Sequence, residues 1–465
     1  MSKTVENKNN IPKALTIAGS DSGGGAGIEA DLKTFAALGV YGMAAITSVT
    51  AQNTLEVRAI HDIPAEVVEK QIEAVAEDIG VDAAKTGMLS NSEIIEAVAR
   101  TVRRYKFPLV VDPVMIAKSG APLLKPEAMS SLIKYIIPLA TVVTPNRFEA
   151  EKIVGFKILN IDDAKKAAKY IVEELGAKAS IVKGGHLGGE HSVDVVYYNG
   201  SFKIFSAPRI KHGCTHGTGC SFSAAITAEL AKGKNILEAI EVAKKFITLA
   251  IDYGLKVGHG HCPVNPMTWI EIPAEKYRVL ENLNEAIKLL VENGEYVSKL
   301  IPEVQMNIVM SLPALYARIE DDVAGVLGRI VKYGKTIKPS GSPTFGASRH
   351  MAKAVLTAIK YDPKIRAAAN IRFSEKIIDV ARKLGMTISF YDRRLEPDEV
   401  KAKEGATIPW GIEQAILRAK GKVPDIVYHM GDWGKEPMIN VFGRTAKEVA
   451  EKIVKIAKTL HNEKL

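Results

Sequence analysis

Two kinds of hydrophobic pattern alternate along the chain from Ala14 to about Gly254. Apolar positions spaced three and four residues apart predict helices in IEADLKTFAALG, AEVVEKQIEAVAEDI and EIIEAVARTVRRY, and again after Ile161 and Gly217. Short apolar, β-branched runs predict the strands between them, namely LTIAGS, AAITSV, AAKTGM, LVVDPV, TVVTPN and SIVKGG. The alternation predicts an α/β fold with a doubly wound, mostly parallel sheet, whose ligands bind at the carboxyl ends of the strands.

The pattern breaks between His259 and Trp269, where HGHCPVNPMTW has no helical period. A polar helical pattern follows, and a second α/β alternation begins near Val304 with the strands VQMNIVM, AAANIRF, TISFYD, DIVYHM and INVFG. The segment DDVAGVLGRIVKYG is predicted to be a helix. We therefore predict a first domain over residues 1–270, a helical connector over 271–300 and a second, smaller α/β domain over 301–465.

Composition narrows the functional classes. No apolar run approaches the roughly 20 residues of a membrane helix, and the polar start MSKTVENKNN lacks the apolar core of a signal peptide. The three cysteines, Cys214, Cys220 and Cys262, show no metal-site spacing and are interpreted as free thiols in the cytoplasm. The net charge of +9 comes from basic residues that alternate with acids along helices, which favours anionic substrates over nucleic acid as partners.

The first candidate motif is a glycine-rich turn from Gly19 to Gly27, which follows a strand and opens a helix. Glycine lets the backbone approach a ligand closely because no Cβ intervenes. Asp31 lies in the helix that follows, and Gln52 ends another strand. An acid and an amide at neighbouring strand ends can bind the edge of a polar heterocycle, although capping and solvation explain them equally.

The second motif is THGTGCSFSAA, where a glycine-rich turn enters a helix of small residues. Free backbone N–H groups at such a helix start form an anion hole for a transferring phosphoryl group. The positive helix terminus would stabilise a Cys220 thiolate as a base, and the alternative is a buried structural cysteine. The residues of this proposed hole are Gly217, Thr218, Gly219 and Cys220, preceded by Thr215 as a nucleotide-site candidate.

Three further strand ends carry polar candidates. Asp112 ends LVVDP, and Asn146 with Glu149 follows TVVTP. Acidic and amide groups suit a magnesium–phosphate network, so Asp112 and Glu149 are the metal candidates and Asn146 a nucleotide-site candidate. Lys183, in VKGGH, supplies a cation for nucleotide phosphates.

These motifs together resemble the hydroxymethylpyrimidine and hydroxymethylpyrimidine-phosphate kinases of the ribokinase-like superfamily. The resemblance spans Lys13 to about Trp269 and includes SVTAQNT, DPVMIAKSG, TPNRFEAE and HGTGCSFSAA. It implies a ribokinase-like fold, usually dimeric, that uses ATP with Mg²⁺ to phosphorylate hydroxymethylpyrimidine twice. It also implies that Gln52 binds the aminopyrimidine within a pocket shaped by Gly19, Asp31, Met88 and Met115, and that Cys220 replaces the usual aspartate base.

The second half carries cations in its loops, and its motifs GRIVKYG, SGSPTFGASRH and YDRRLEP resemble the archaeal-type thiamine-phosphate synthase domain. That resemblance covers roughly Leu283 onward and implies coupling of hydroxymethylpyrimidine diphosphate to hydroxyethylthiazole phosphate. Loss of diphosphate needs its charge neutralised, which arginines and magnesium do well. The candidates are Arg329, Arg349 and His350, with Ser342 or Ser348 in support, and with Glu396 and Asp398 as magnesium ligands.

Two alternatives remain at this stage. The first half could instead be another small-molecule kinase of the same fold, such as a pyridoxal kinase. Gln52 and the GTGC sequence favour the pyrimidine substrate over this alternative. The second half could instead be a non-catalytic sensor of thiamine-pathway ligands, although no helix-turn-helix precedes it. In the favoured interpretation the chain is a cytoplasmic enzyme of thiamine biosynthesis that forms homodimers or higher homo-oligomers.

Overall fold

A computed structural model describes residues 11–185, 189–211, 213–432 and 434–463. The polar N-terminal segment and His186 of the VKGGH motif lie outside these described residues. The chain divides into two compact units, Met1–Ile270 and Glu271–Leu465. Across the described ranges, no helix combines the length and the apolar character that a membrane crossing needs.

The first unit alternates strands and helices as its hydrophobic pattern predicts. Its strands are β1 (Lys13–Ala18), β2 (Tyr41–Ile46), β3 (Ser48–Gln52), β4 (Val57–Asp62), β5 (Ala83–Thr86), β6 (Leu109–Val111), β7 (Val142–Val143), β8 (Ala179–Val182), β9 (His191–Tyr198) and β10 (Ser201–Pro208). Its helices are α1 (Gly27–Ala37), α2 (Ala65–Asp78), α3 (Ser92–Tyr105), α4 (Ala128–Ser131), α5 (Arg147–Val154), α6 (Ile161–Glu173), α7 (Thr218–Ala231) and α8 (Ile236–Asp252).

Eight of these strands form one sheet in the order β10-β9-β8-β7-β6-β5-β1-β2, and β3 pairs with β4 in a separate hairpin. The six neighbouring strands β2, β1, β5, β6, β7 and β8 pair in parallel. The last two strands are antiparallel to their neighbours, β9 to β8 and β10 to β9. Alternate residues of β1 point to opposite faces, so Leu15 packs in the core with α2 and α3, and Ala14 in the core with α1, α7 and α8. The doubly wound, mostly parallel sheet predicted from the sequence is confirmed.

The second unit is built on a seven-stranded sheet in the order β15-β12-β11-β16-β19-β18-β17. Its strands are β11 (Ile308–Ser311), β12 (Val323–Val326), β13 (Ile330–Tyr333), β14 (Thr336–Pro339), β15 (Pro343–Phe345), β16 (Ala367–Arg372), β17 (Ile388–Phe390), β18 (Ile426–His429) and β19 (Met438–Gly443). The helices are α9 (Thr268–Glu292), which spans the division between the units, α10 (Gly294–Val297), α11 (Arg349–Tyr361), α12 (Glu375–Lys383), α13 (Asp398–Ala402), α14 (Thr407–Arg418) and α15 (Ala446–Asn462).

The helix predicted over DDVAGVLGRIVKYG is wrong, because this segment forms β12 and β13. All four residues of β12 are buried between two antiparallel partners, β11 and β15. The turn between β12 and β13 places Gly328 and Arg329 at φ +69° and +71°, in the left-handed region. Short apolar runs fit a buried strand and a helix equally well, and here pairing with β11 and β15 decides between them.

Candidate active site

A cleft of about 720 Å³ opens in the first unit at the carboxyl ends of the parallel strands. It is the location that the α/β pattern predicts, because loops that follow parallel strands gather at one edge of the sheet. Its walls include most of the predicted site residues, namely Gly19, Asp31, Gln52, Met88, Asp112, Met115, Asn146, Glu149, Lys183, Thr215, Gly217, Thr218, Gly219 and Cys220.

One end of the cleft has the mixed apolar and polar wall that a small heterocycle needs. Met88 and Met115 are 7% and 4% exposed and supply apolar surface. A Cβ on Gly19 would lie 3.1 Å from the Met88 sulfur, so a larger residue would crowd this wall. The backbone of Gln52 is tied to the Ser22 hydroxyl in both directions, at 2.7 and 2.8 Å. Within the described part of the chain its side-chain amide makes no hydrogen bond, so it stays available to a ligand.

Asp31 lines the cleft but is fully buried, and both of its oxygens are already bonded. Thr16 donates to one oxygen at 2.7 Å and Lys85 to the other at 2.8 Å. Lys85 belongs to none of the predicted site motifs, but its position inside a predicted buried strand was a signal, because a buried lysine requires a partner. Burial raises the pKa of Asp31, while Asp31 holds the pKa of Lys85 high against the opposing effect of burial. Asp31 and Lys85 therefore line the cleft as a bonded pair, in which both Asp31 oxygens already have partners.

The glycine-rich turn is held by a second buried pair that the sequence analysis also missed. The carboxylate of Asp21 accepts backbone N–H groups of Gly23, Gly25 and Ala26 at 2.8 to 3.1 Å. His216 Nε2 lies 3.1 Å from the same carboxylate. Burial works against the charged carboxylate, but the His216 and backbone hydrogen bonds outweigh it and lower the pKa of Asp21. The pair joins two glycine-rich motifs that are far apart in sequence, since Asp21 lies in the Gly19–Gly27 turn and His216 lies in THGTGC.

Helix α7 begins at the predicted anion hole. Gly217 caps it at φ +78°, and a Cβ there would collide with the Gly25 carbonyl. Gly219 needs to be small for a related reason, because a Cβ would lie 3.3 Å from Asp112 Oδ2. The Thr218 hydroxyl donates to the carbonyl of Thr215, whose own side chain is exposed. Close backbone packing thus requires glycine at position 217, and the side chains of Asp112 and Lys183 leave little room for a Cβ at position 219.

The prediction of a stabilised Cys220 thiolate is contradicted. Burial raises the pKa of the Cys220 thiol to about 12, and the nearby cation of Lys85 offsets only part of this effect. Cys220 retains partial exposure at the cleft wall, yet desolvation has the largest effect on the pKa of its thiol. In the absence of ligands the thiol is therefore protonated at neutral pH.

Asp112, Lys183 and Glu149 form a buried charged group beside the helix start. Lys183 Nζ lies 3.2 Å from Asp112 Oδ1, which also accepts the Thr144 hydroxyl at 3.2 Å. Asn146 and Glu149 cap helix α5 reciprocally, since each side chain accepts the other's backbone N–H. Burial raises the pKa of Glu149 to about 7, with Lys183 opposing the rise and Asp112 adding to it. The Asn-x-x-Glu motif therefore has a structural role whatever else it binds.

Two of the cysteines are not free thiols, which corrects the sequence-based interpretation. Cys214 and Cys262 form a disulfide across 48 residues of sequence. The surrounding backbone is paired as well, because His216 N–H donates to the Cys262 carbonyl at 3.1 Å and Val264 N–H to the His216 carbonyl at 3.1 Å. Only the fold brings these segments together, so no local spacing signals the bond.

Most of the predicted residues of the second unit lie at exposed positions. Arg329 donates to the Val304 carbonyl, and the Ser342 carbonyl accepts Leu327 N–H at 3.2 Å. Arg349 begins α11 with its side chain 85% exposed and 4.0 Å from Glu320. Asp398 is fully exposed and Glu396 is buried, so the structure does not bring these two magnesium candidates together.

His350 follows Arg349 in the first turn of α11. Partial burial and the charge of Arg329 lower the pKa of His350, and Lys353 and Lys435 act in the same direction. The imidazole is therefore predominantly neutral at pH 7. Glu320 acts on His350 in the opposite direction and lies 3.4 Å from Lys353, so the charges near the start of α11 include an acid as well as cations.

Comparison with known proteins identifies both units. The phosphomethylpyrimidine kinase family matches residues 21–265, and thiamine-phosphate synthase ThiN matches residues 282–455. The hydroxymethylpyrimidine/phosphomethylpyrimidine kinase of Bacillus subtilis is 51% identical over 257 residues, covering 55% of this chain and 94% of its own. The thiamine biosynthesis bifunctional protein ThiED of Geobacter sulfurreducens is 48% identical over 252 residues, covering 54% of this chain and 51% of its own.

Solved structures confirm the fold of the first unit. An ADP complex of Bacillus subtilis pyridoxal kinase is 42% identical with a TM-score of 0.52, covering 56% of this chain and 98% of that one. Pyridoxal kinase from Staphylococcus aureus with AMP-PCP and pyridoxal is 40% identical with a TM-score of 0.51, covering 56% of this chain and 94% of that one. The chain therefore belongs to the phosphomethylpyrimidine kinase family, with a thiamine-phosphate synthase domain behind its ribokinase-like kinase domain, and is a multifunctional enzyme of thiamine biosynthesis.

Proposed function

We propose that the first unit uses ATP to phosphorylate hydroxymethylpyrimidine and then its monophosphate. The observation that supports this most is the single cleft that joins the Gln52, Met88 and Met115 wall to the start of α7. A substrate bound at that wall would direct its hydroxyl toward Cys220 and the N–H groups that begin α7. The γ-phosphoryl group of ATP would lie between this helix start and Lys183.

Cys220 is proposed to accept the hydroxyl proton during transfer. Since its thiol is protonated in the resting site, ionisation must accompany the binding of MgATP, whose metal and neighbouring cations favour the thiolate. Phosphoryl transfer passes through a loose transition state and needs little help from a strong base. A base that ionises only in the loaded site is compatible with that demand.

Asp112 and Glu149 are proposed to hold Mg²⁺ together with phosphate oxygens and water. One or two carboxylates are enough for such a site, because Mg²⁺ keeps several waters and binds the substrate phosphates. The donor set fits, since Asp112 and Glu149 are two carboxyl groups that line the same cleft. When bound, the ion would neutralise charge on the transferring phosphoryl group.

The test is substrate preference of the full chain. Initial rates with hydroxymethylpyrimidine, its monophosphate and pyridoxal should favour both pyrimidines over pyridoxal by at least tenfold in kcat/KM. Gln52→Leu should weaken pyrimidine binding about 5- to 150-fold, because it leaves a polar ligand edge unpaired. ATP affinity should be unchanged. A faster rate with pyridoxal would overturn the pyrimidine assignment.

The second unit is proposed to couple hydroxymethylpyrimidine diphosphate to hydroxyethylthiazole phosphate with release of pyrophosphate. The supporting observation is the set of cations, Arg329, Lys353 and Lys435, whose charges act on His350. Such a set can neutralise a departing diphosphate with little covalent chemistry from the protein. The assay supplies both phosphorylated substrates to the full chain and measures thiamine phosphate and pyrophosphate. Ligand binding without product formation would favour the sensor alternative.

The domain boundaries are proposed to delimit separable catalysts, a kinase over residues 1–270 and a synthase over 301–465 behind the helical connector 271–300. Support comes from the two compact units that meet at residues 270 and 271. Fragments 1–270 and 271–465 should each show a cooperative unfolding transition and its own activity. The homo-oligomeric state and the cytoplasmic location stay predictions from the sequence, and size-exclusion chromatography with light scattering would test the first.

A further inference from the structure

Two glycine-rich segments border the cleft of the first unit, the turn from Gly19 to Gly27 and the start of α7. They contribute to different parts of the proposed reaction. The turn belongs to the wall beside Met88, where the pyrimidine is proposed to bind, and the start of α7 is the proposed anion hole. Phosphoryl transfer relies on positioning, so the rate depends on how accurately these two segments are placed relative to each other.

The carboxylate of Asp21 occupies the amide groups of the turn. Its Oδ1 accepts the N–H of Gly23 at 2.8 Å, and its Oδ2 accepts those of Gly25 and Ala26 at 3.1 and 2.8 Å. Successive backbone N–H groups in a turn commonly bind phosphate. In this turn a carboxylate of the chain itself fills that position, so these three N–H groups serve to hold the turn and not a phosphate.

His216 joins the same carboxylate to the anion hole. Its Nε2 lies 3.1 Å from Asp21 Oδ2, and it directly precedes Gly217, which caps α7. Burial works against ionisation of Asp21, but the hydrogen bonds from His216 and the turn lower the pKa of the carboxylate. An ionised carboxylate only accepts hydrogen bonds, so Nε2 is the donor. The two side chains are 9% and 3% exposed, and such a buried contact is costly to break.

The backbone of His216 is held from the opposite side. Its N–H donates to the Cys262 carbonyl and its carbonyl accepts the Val264 N–H, each at 3.1 Å. The ring also fits closely against the turn, because a Cβ on Gly25 would lie 2.4 Å from His216 Cδ2. A side chain whose backbone is fixed in this way restricts the position of the Asp21 carboxylate, and with it the position of the turn.

We propose that the Asp21–His216 pair positions the glycine-rich turn against the anion hole, an inference that rests on the proposed kinase activity. The pair holds the pyrimidine wall and the N–H groups of α7 at the separation in which the substrate hydroxyl reaches the phosphoryl group. Both are positioning residues, since they act through the turn and the start of α7. A misplacement of about 1 Å can lower a rate about 100-fold, while the binding contacts at each end of the cleft remain.

The first test compares the kinase rates of full-length variants. His216→Phe keeps a ring but removes the N–H donor, and should lower kcat for hydroxymethylpyrimidine about tenfold or more, with KM for pyrimidine and ATP changed less than about twofold. His216→Gln restores an N–H donor and should recover most of the rate. Normal kcat in His216→Phe, or equal losses in both variants, would overturn the positioning role.

Lys33→Met is the matched control. Lys33 is exposed and donates to the Gly24 carbonyl at 2.7 Å, so its loss removes a hydrogen bond to the same turn without affecting the link to α7. Its kcat should equal that of the unmodified chain. A loss as large as that of His216→Phe would show that any weakening of the turn slows the kinase, and would overturn a specific role of the pair.

A double-variant cycle tests whether the pair acts as one unit. Asp21→Asn should also lower kcat, and adding His216→Phe to it should cost little more, because both changes break the same contact. Losses that multiply would mean two independent effects and would overturn the pair. Circular dichroism and calorimetry establish that each variant is folded before its rate is compared.

Hydrogen exchange of the turn gives a readout without turnover. In the full chain without substrates, His216→Phe should speed exchange of the Gly23, Gly25 and Ala26 amides about tenfold, because the carboxylate that accepts them loses its anchor. Lys33→Met should leave that exchange unchanged. Unchanged exchange in His216→Phe would overturn the proposal. Faster exchange in this variant, with an unmodified chain that phosphorylates no pyrimidine, would overturn the proposed kinase activity and leave the link between the two segments standing.

Discussion

The two candidate sites of this chain handle charge in opposite ways. In the kinase unit the charges are buried and paired around a formed cleft, as in Asp31–Lys85 at 2.8 Å and Asp112–Lys183 at 3.2 Å. In the synthase unit the predicted Arg349 is instead 85% exposed and lies 4.0 Å from Glu320. Dipoles and charges fixed in advance stabilise a transition state without reorganising. Exposed cations instead suit a charged group that must bind and leave.

The largest expected effect is the loss of stability when a buried ion pair of the kinase unit is broken. Lys85→Met should lower the free energy of unfolding of this unit by about 3–5 kcal/mol, because it leaves the Asp31 carboxylate buried without its cation. Arg349→Met, in the exposed group of the other unit, should cost less than about 1 kcal/mol. Denaturant unfolding followed by circular dichroism measures both. Equal losses would remove the contrast between the sites.

The disulfide should distinguish the stabilities of the two units, since all three cysteines lie in the first. Replacing Cys214 and Cys262 by serine should lower the stability of the kinase unit by about 2–4 kcal/mol, the usual contribution of a bond that closes a long loop. Scanning calorimetry should show the kinase transition moving down while the synthase transition stays in place. Dithiothreitol should reproduce the shift in the unmodified chain and have no effect on the double variant.

Cys220 tests whether the preformed cleft also depends on a proton acceptor. Cys220→Ala should reduce the kinase kcat about 10²-fold with little change in KM, as expected for loss of a general base. Cys220→Asp should retain more activity than alanine. In the unmodified chain kcat/KM should rise with pH, because the free enzyme, with a thiol pKa of about 12, holds little thiolate at neutral pH. A flat profile together with normal alanine turnover would assign Cys220 a packing role.

Arg329, Arg349 and the neutral imidazole of His350 should matter for coupling and should leave the kinase activity unchanged. Arg329→Ala and His350→Ala should each slow thiamine phosphate formation about 10- to 100-fold by removing a partner of the diphosphate. Arg349→Lys should slow it by a smaller factor, since lysine keeps the charge but loses the planar fork that binds two oxygens. Kinase turnover of the same proteins is the internal control. A parallel fall in both activities would point to a folding defect.

The smallest effect concerns pH and magnesium in the kinase unit. With the pKa of Glu149 raised to about 7, its carboxyl is largely protonated below pH 7 and ionised above it. Only the ionised form binds a cation, so the Mg²⁺ concentration for half-maximal kinase rate should fall several-fold from pH 6 to pH 8. Glu149→Gln should raise the Mg²⁺ concentration needed for half-maximal rate and should make that concentration independent of pH. A variant with the original pH profile would exclude Glu149 as a ligand.

The same pKa also bears on stability, with a definite sign. The folded-state pKa of Glu149 lies above its ordinary value of 4.5, so the folded state holds the proton more tightly than the unfolded chain. The stabilisation is fully present below pH 4.5 and is lost as pH rises through about 7. The kinase unit should therefore lose a small part of its stability over that range when Mg²⁺ is absent.

Local sequence was sufficient for much of this protein. Hydrophobic periodicity predicts the parallel sheet of the first unit and most elements of the second, because burial on one or both faces is written into the spacing of apolar residues. The glycine-rich turns predict the cleft edge, since only glycine permits the positive φ and the close approach seen at Gly217. The same reasoning fails at β12, where four apolar residues carry too little periodic information to separate a strand from a helix.

Tertiary structure alone decided how the functional groups are paired. Lys85 meets Asp31 across 54 residues, His216 meets Asp21 across 195, and Cys214 meets Cys262 across 48. Arg393 and Arg394 are chemically identical in sequence, yet one is buried beside Glu396 and the other is exposed. The helix start predicts a lowered pKa for the Cys220 thiol, whereas burial raises it. A helix terminus is visible in the sequence, but desolvation is not. Burial and long-range contact depend on the whole chain, so they set the electrostatics of both sites after the local motifs have placed the residues.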